Sequence, residues 1–311
     1  MKKYLLLGGN GYLGKYLTER LAIQNKVVVA DKNIERCVNA GNIEYKSIDF
    51  INCMDFSEYL DDIDVVIHLV STIVPSDNIC SIDKEISDNV FPTLRLLRDM
   101  SSKNVGKIVF LSSGGTVYGE HDNTPIKENE AKRPICNYGI IKETIEKYLE
   151  LYNNYQNLNY NVIRLSNPYS EKVKNGRKQG IIPIVIDQII KGDTIKIWGD
   201  GNDIRDYIYI DDAIDAIINI LNYDGKEKVF NVGTGKGYSI NQLLDIIAES
   251  LKDYKINVEY LNSRKCDVNN NILDIARINE ETGWFPKVSL EEGIELVIRE
   301  KMKEEDELYA C

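Results

Sequence analysis

The sequence predicts an α/β protein, a doubly wound parallel sheet followed by a smaller C-terminal α+β unit. Three observations carry this. Short apolar runs alternate with helical patterns from residue 4 to about residue 165. The first run ends in glycines at positions 8, 11 and 14. After Asn167-Pro168-Tyr169 the texture turns looser and more polar. Strands that alternate with helices pair in parallel, are buried on both faces, and present ligand sites at their carboxyl ends.

In order, residues 4–7 form an apolar run of the kind a buried strand needs. Residues 15–23 are helical, with Leu13, Leu17 and Leu21 on one stripe. Residues 26–30 make a second strand that ends at Asp31, and 64–70 a third. Residues 83–100 form a helix that Pro92 should kink. The strand at 107–111 runs into Ser112-Ser113-Gly114-Gly115-Thr116-Val117-Tyr118-Gly119, and a polar loop spans 120–134. A helix at 137–153 and a strand at 161–165 follow.

Beyond residue 170 come a charged loop at 171–177, a helix at 181–191, a strand at 194–198 and a turn at Gly199-Asp200-Gly201. Residues 211–221 are helical, and 229–232 form a strand able to rejoin the main sheet. Ser239 caps a helix at 240–251. The stretch to about 298 alternates too loosely to count strands, and 301–307 reads as a fraying, charged end. The expected domains are 1–169 with about 204–235 for a dinucleotide, and about 170–203 with 236–311 for a substrate.

The 311 residues carry a net charge of −11, which argues against nucleic acid and anionic membrane surfaces as partners. Six cysteines (Cys37, Cys53, Cys80, Cys136, Cys266 and Cys311) lie far apart and form no C-x-x-C pair. With only His68 and His121 beside them, no metal site is expected. Free thiols suit a reducing cytoplasm. The apolar run after Lys2 and Lys3 breaks at Gly8, too short for a signal peptide, and no stretch reaches membrane-span length.

Chemistry enters with the glycines. A strand, a tight glycine turn and a helix N-terminus aim backbone N–H groups and the positive end of the helix dipole at a pyrophosphate. Asp31, about 20 residues on, is placed for a ribose 2′-OH and would repel a 2′-phosphate, which favours NAD over NADP. Farther along, Tyr138 and Lys142 stand one helical turn apart on one face. A cation beside a phenol lowers its pKa from about 10, so the pair can take a proton from a sugar hydroxyl as hydride leaves the same carbon.

These motifs resemble the extended branch of the short-chain dehydrogenase/reductase superfamily, in particular its NAD-dependent nucleotide-sugar epimerases and dehydratases. Gly8-x-x-Gly11-x-x-Gly14, Asp31, Asp49-Phe50, His68-Leu69, Asn89, Ser112-Ser113, Val117-Tyr118-Gly119, Tyr138-x-x-x-Lys142, Arg164-x-x-Asn167-Pro168 and Trp198-Gly-Asp-Gly-x-x-x-Arg205-Asp206-Tyr207 fall in family order over nearly the whole chain. The resemblance implies a Rossmann domain holding NAD. It places Asp49 and Phe50 against the adenine and Asn89 and Lys142 near the nicotinamide ribose, and it extends the cofactor set to Tyr12, Leu13, Leu69, Val70 and Pro168. It assigns Asn167, Arg205 and Arg264 to the diphosphate of a sugar nucleotide, where an arginine fork suits phosphate oxygens. It also implies a homodimer joined through the helices near 85–100 and 137–153.

One departure matters. Related 4-epimerases usually carry Ser-Ser-Ser-Ala-Thr before Val-Tyr-Gly, and the last serine assists the tyrosine. An ungapped match puts Gly114 at that place. Ser113, 25 residues before Tyr138, becomes its equivalent after a one-residue shift, and Thr116 is the other candidate hydroxyl.

The reaction follows from what is absent from this stretch. Related dehydratases and decarboxylases place an acidic side chain before the Tyr-Gly pair, whereas Ser-Gly-Gly-Thr has none. Epimerisation at C4 needs no extra acid, so the expectation is a UDP-glucose/UDP-galactose 4-epimerase working through a transient 4-keto sugar. Asn271 falls near the residue that gates N-acetyl groups in relatives, and a small side chain there should admit N-acetylhexosamines. A ketosugar reductase consuming NAD(P)H is the main alternative, and a non-catalytic NAD-binding regulator the lesser one.

Overall fold

The computed structural model describes residues 1–34, 41–73, 81–121, 123–171, 180–264 and 268–309. The first half alternates as its apolar runs require: β1 (Lys3–Leu7), α1 (Tyr12–Leu21), β2 (Lys26–Asp31), β3 (Ile43–Ser47), β4 (Val65–His68), α2 (Ile82–Ser102), β5 (Lys107–Ser113), α3 (Asn137–Gln156) and β6 (Asn159–Leu165). The second half is shorter-grained: β7 (Asn167–Tyr169), α4 (Ile181–Ile190), β8 (Thr194–Trp198), β9 (Ile204–Arg205), β10 (Tyr207–Tyr209), α5 (Ile210–Leu221), β11 (Val229–Val232), β12 (Tyr238–Ser239), α6 (Ile240–Ser250), β13 (Asn257–Leu261), β14 (Asn270–Asn271), α7 (Ala276–Thr282) and α8 (Leu290–Tyr309).

A seven-stranded sheet runs in the order β11-β6-β5-β4-β1-β2-β3. The pairs β3/β2, β2/β1, β1/β4 and β4/β5 are parallel. Order reverses beside β1, which is where a doubly wound sheet opens a crevice for a ligand. The central strands β1, β2 and β4 are buried and apolar nearly end to end because helices cover the sheet. Leu5, Leu7, Val28, Val66, Ile108, Phe110 and Val162 pack with Leu96, Leu97 and Met100 of α2 and Ile141, Ile145 and Leu149 of α3. Each such side chain contributes roughly 1.5–3 kcal/mol on burial.

The chain divides into two units. The first is Met1–Gly119, Ala131–Arg164 and Ile217–Phe230, and the second is Glu120–Glu130, Leu165–Ala216 and Asn231–Cys311. Residues 120–130, 165–169, 204–216 and 231–235, expected in the dinucleotide domain, group with the second unit. Local pairing explains the first of these: Ile126 N–H donates to Ile272 O (2.8 Å) and Asp274 N–H to Ile126 O (2.9 Å). Asn231 adds bonds to Glu128 Oε1 (3.0 Å) and Ile126 O (2.8 Å).

In the second unit, β8 pairs with β13, β7 with β10, and β9 lies between β12 and β14. The buried Asp206 carboxylate ties these pieces together. It accepts from Thr234 N and Oγ1 (both 2.8 Å), Gly235 N (3.1 Å) and Leu273 N (3.5 Å). Ser239 caps α6 as expected, in a reciprocal box with Gln242 (3.1 and 2.8 Å).

Two expectations are corrected. The charged end at 301–307 is helical, as part of α8. The strand expected over 64–70 ends at His68, after which Leu69 N–H still bonds Leu7 O at 3.0 Å. Among the described residues, no helix is long and apolar enough to cross a membrane.

Candidate active site

The glycine turn folds back on its own strand. Gly8 N–H donates to Ala30 O (2.9 Å) and Gly11 N–H to Gly8 O (3.0 Å). Gly8 has φ +81°, and a Cβ there would lie 3.1 Å from Val70 N and 3.4 Å from the Leu69 carbonyl carbon. A Cβ on Gly14 would come within 2.6 Å of the carbonyl oxygens of both Gly8 and Gly9, so only glycine lets α1 sit this close to β1. Gly11 precedes α1 without a side-chain cap, and the first turn, opening with Tyr12 and Leu13, carries no acid. The N-terminus of a helix directs its first N–H groups and the positive end of its dipole at an anion. At the end of β2, Asp31 is fixed by Asn10 N–H (3.1 Å) and Asn33 N–H (3.4 Å), which leaves carboxylate lone pairs for a ribose. This cradle fits the pyrophosphate and adenosine end of NAD.

Asp49 is held by Asn52 Nδ2 (3.0 Å) and Lys32 Nζ (3.2 Å), which keep its carboxyl below the usual range, the Asn52 bond having the largest effect. The Phe50 ring instead packs in the core on His68 and Phe56, with centroids 5.0 and 5.5 Å away. Only the backbone of Phe50 is then on offer to a base. Asn89 is buried and committed: its Oδ1 accepts from Thr72 N (3.0 Å), and its Nδ2 donates to Thr72 Oγ1 (2.6 Å) and Glu85 O (2.8 Å). It fixes the turn after β4.

The candidate acid–base residues lie where β5 ends and α3 begins. A Cβ on Gly139 would be 2.7 Å from Thr116 O, so this glycine lets α3 rest directly on the turn after Ser113. Tyr138 is partly buried and the Ser113 hydroxyl acts on its phenol, while Thr116 Oγ1 is buried with no partner. The structure thus brings Ser113, of the two candidate hydroxyls, to the phenol. Lys142 is buried. Its Nζ donates to Leu111 O (2.8 Å) and lies 4.7 Å from the Phe110 ring centroid and 5.5 Å from that of Tyr138.

Burial dominates the electrostatics. It pushes Tyr138 up to about 12, with Cys136 adding to the rise and the Ser113 bond opposing it. It pushes Lys142 down to about 7, against the pull of Glu146. The lowering of the phenol by Lys142 expected from their spacing does not show in the chain alone, where desolvation prevails; a bound cation would have to bring the phenol down. His68, in the core beside this pair, is driven down to about 3 by burial and then by Lys142. The Thr93 hydroxyl donates to Asn89 O (2.7 Å), so His68 Nε2, 2.9 Å from Thr93 Oγ1, must carry the hydrogen of a neutral ring.

Sequence reasoning missed a buried polar cluster beneath the pair. Glu146 Oε1 accepts from Ser112 Oγ (2.6 Å) and Arg164 Nε (3.2 Å). Its Oε2 accepts from Arg164 Nη2 (2.7 Å) and Lys132 Nζ (3.2 Å). Arg164 Nη1 also donates to Tyr118 Oη (2.7 Å). The available signal was the i, i+4 step from Lys142 to Glu146.

The remaining predicted residues belong to the second unit. Asn167 Nδ2 donates to Asp206 O (2.9 Å), and Pro168 pairs with Ile208 between β7 and β10. Arg205 donates to Ile204 O (3.0 Å), lies 3.7 Å from Asp203, and is in register with the fully buried Asn271. The Arg264 guanidinium stacks on Trp198, 3.8 Å from its centroid, at a cleft of about 780 Å³ that Asp200, Asp203 and Tyr260 also line. Lys265, Cys266 and Asp267 lie outside the described residues, as do 172–177 of the charged loop and Cys37, Cys80 and Cys311.

The family model described as the NAD dependent epimerase/dehydratase family matches residues 4–233. A dTDP-4-dehydro-6-deoxyglucose reductase from Escherichia coli is 33% identical over 95% of this chain and 96% of its own length. A UDP-glucose 4-epimerase from Mycolicibacterium smegmatis is 30% identical over 93% and 95%. The crystal structure of Thermotoga maritima UDP-glucose 4-epimerase with UDP-glucose superimposes with a TM-score of 0.88 at 30% identity, covering 97% of this chain and 99% of that one.

The glycine cradle makes a direct prediction. Gly14→Val should abolish NAD binding, read by calorimetric titration, because the side chain would push α1 away from the Gly8 and Gly9 carbonyls. Binding within twofold of the unchanged protein would show that the cradle is not the pyrophosphate site.

Proposed function

The chain belongs to the NAD-dependent epimerase/dehydratase family, and from that premise we propose that it is a nucleotide-sugar 4-epimerase interconverting UDP-glucose and UDP-galactose. The observation that carries this reading is the Ser113 hydroxyl acting on the Tyr138 phenol, one turn from Lys142, in a stretch from Ser112 to Tyr118 that holds no carboxyl group. Elimination and decarboxylation each require an acid or base there, and transfer of a hydroxyl proton does not.

Bound in the cradle, NAD supplies a reversible hydride acceptor. The protein's own residues manage the proton and the charge. Tyr138 Oη takes the C4 hydroxyl proton and later returns it. Ser113 Oγ hydrogen-bonds the same sugar oxygen as charge develops. Lys142 holds its charge beside the phenol and orients the ribose. Asn167, Arg205 and Arg264 hold the diphosphate. The keto sugar turns over before its hydrogen returns on the other face.

The Escherichia coli relative supports a second reading, a 4-ketosugar reductase built on the same residues. One experiment separates the two. Purified protein with catalytic NAD and UDP-galactose should form UDP-glucose, seen by NMR, with no net change in NADH absorbance. Tyr138→Phe should cut turnover about 100-fold or more, the usual weight of a lost general acid–base group. Stoichiometric oxidation of NADH by a 4-keto sugar nucleotide, with no inversion of UDP-galactose, would favour the reductase.

We further propose that Asn271, in register with Arg205, admits N-acetylhexosamines. Asn271→Tyr should depress turnover of UDP-N-acetylgalactosamine at least tenfold more than that of UDP-galactose; equal losses would remove the proposed gate. Finally, Ile86 and Phe91 on α2 and Ile140, Leu151 and Tyr155 on α3 are exposed apolar side chains, which supports a homodimer through these helices. Sedimentation equilibrium should give twice the chain mass, whereas a monomer at micromolar concentration would contradict it.

A further inference from the structure

A carboxylate buried one turn below Lys142 needs an explanation. Tyr138, Lys142 and Glu146 follow each other at four-residue steps on one face of α3. Glu146 is 5% exposed, yet it remains ionised, its carboxyl held below the usual range by Arg164 and Lys132 against the cost of burial. Its oxygens take four hydrogen bonds, from Ser112, from two nitrogens of Arg164 and from Lys132. Glu143 lies 3.7 Å from the same Lys132.

This cluster grips the frame that carries the candidate reacting groups rather than those groups themselves. Through Ser112 it grips the end of β5, one residue before Ser113. Through Arg164 it grips β6 and the Tyr118 hydroxyl, at the far end of the turn that α3 rests on. Through α3 it stands below Lys142. The groups around that ammonium are the Leu111 carbonyl and the Phe110 ring from β5, neutral His68 from β4 and Tyr138 on its own helix, with Glu146 one turn farther along that helix. Among these Glu146 is the anion.

We propose that Glu146 is a positioning residue, the counterion that keeps Lys142 an ammonium under Tyr138 while fixing the strand end that presents Ser113. A phenol surrounded by neutral groups would hold its proton. Without Glu146, burial would discharge Lys142, and Tyr138 would lose the cation that favours its phenolate. Arg164 and Lys132 serve as the partners that let Glu146 stay charged in the core. A plain structural clamp between β6 and α3 would use the same hydrogen bonds but would leave the titration of Tyr138 unmoved.

The inference rests on Tyr138 as the proton-exchanging group, and its test needs no turnover. Tyr138 is titrated in the NAD-bound protein by 13C NMR of ring-labelled tyrosine, with its resonance assigned by loss in Tyr138→Phe. Glu146→Gln, near-isosteric but neutral, should raise the midpoint by about one unit or more. Glu146→Asp, which keeps the charge, should stay much closer to the unchanged protein. In parallel, kcat of Glu146→Gln at neutral pH should fall about tenfold with KM little altered, and recover as pH rises.

An unmoved midpoint in Glu146→Gln, or equal shifts in both variants, would overturn the proposal, whatever happens to stability. Removing one partner of a buried pair can cost about 3–5 kcal/mol. Should Glu146→Gln fail to fold, Glu146→Gln/Arg164→Met, which buries no unpaired charge, carries the same prediction. Because the titration is read without a sugar nucleotide, it stands apart from the epimerase reading. A protein that inverts no UDP-sugar but shows the shift refutes the reaction and keeps the counterion, and the reverse result does the opposite.

Discussion

The hydrogen bond from Lys142 Nζ to the Leu111 carbonyl, 2.8 Å long, is the constraint on which the candidate active site depends. It brings an ammonium into a place where a charge is expensive, against an aromatic ring and away from water. The site is consequently under electrostatic tension. Left to itself the chain favours a protonated phenol and a weakened ammonium, with Tyr138 near 12 and Lys142 near 7. A pair so poised responds strongly to one added positive charge, and this is a physical reason for an acid–base tyrosine to work only when its dinucleotide is bound.

Backbone packing makes that arrangement available. Glycines at two places allow approaches that a Cβ would block, Gly14 where α1 meets the loop after β1 and Gly139 where α3 meets the turn after β5. Both contacts lie at the carboxyl ends of strands in the seven-stranded sheet, and the reversal of strand order beside β1 opens space there. The second unit follows another logic. Its strands are short, and the Asp206 carboxylate, with four donors converging on it, ties them together.

Much of the first unit was legible because a buried parallel strand must be apolar and a phosphate loop must be glycine-rich. Leu5 to Leu7, Val27 to Ala30 and the Gly8/Gly11/Gly14 spacing admit few alternatives. The strand β3 escaped notice because Ile43–Ser47 is an edge strand whose residues are half-buried or exposed, so the stretch carries no apolar run. The Glu146–Arg164 pair escaped for the opposite reason. A charged residue on a helix reads as solvated face, and nothing local tells that the guanidinium of a residue 18 positions on is folded against it. Asn89 and Phe50 show the limit of motif reading. Their positions match the pattern, but Asn89 spends its amide on Thr72 and Glu85, and the Phe50 ring fills the core.

In the proposed reaction, hydrogen leaves C4 of a sugar nucleotide and returns to the same carbon while Tyr138 handles the proton. UDP-galactose carrying deuterium at C4, incubated with the NAD-loaded protein in ordinary water, tests this most directly. The expected product is UDP-glucose with the deuterium retained at C4. Exchange of that deuterium for solvent hydrogen, or recovery of the galactose form alone, would contradict the proposed reaction.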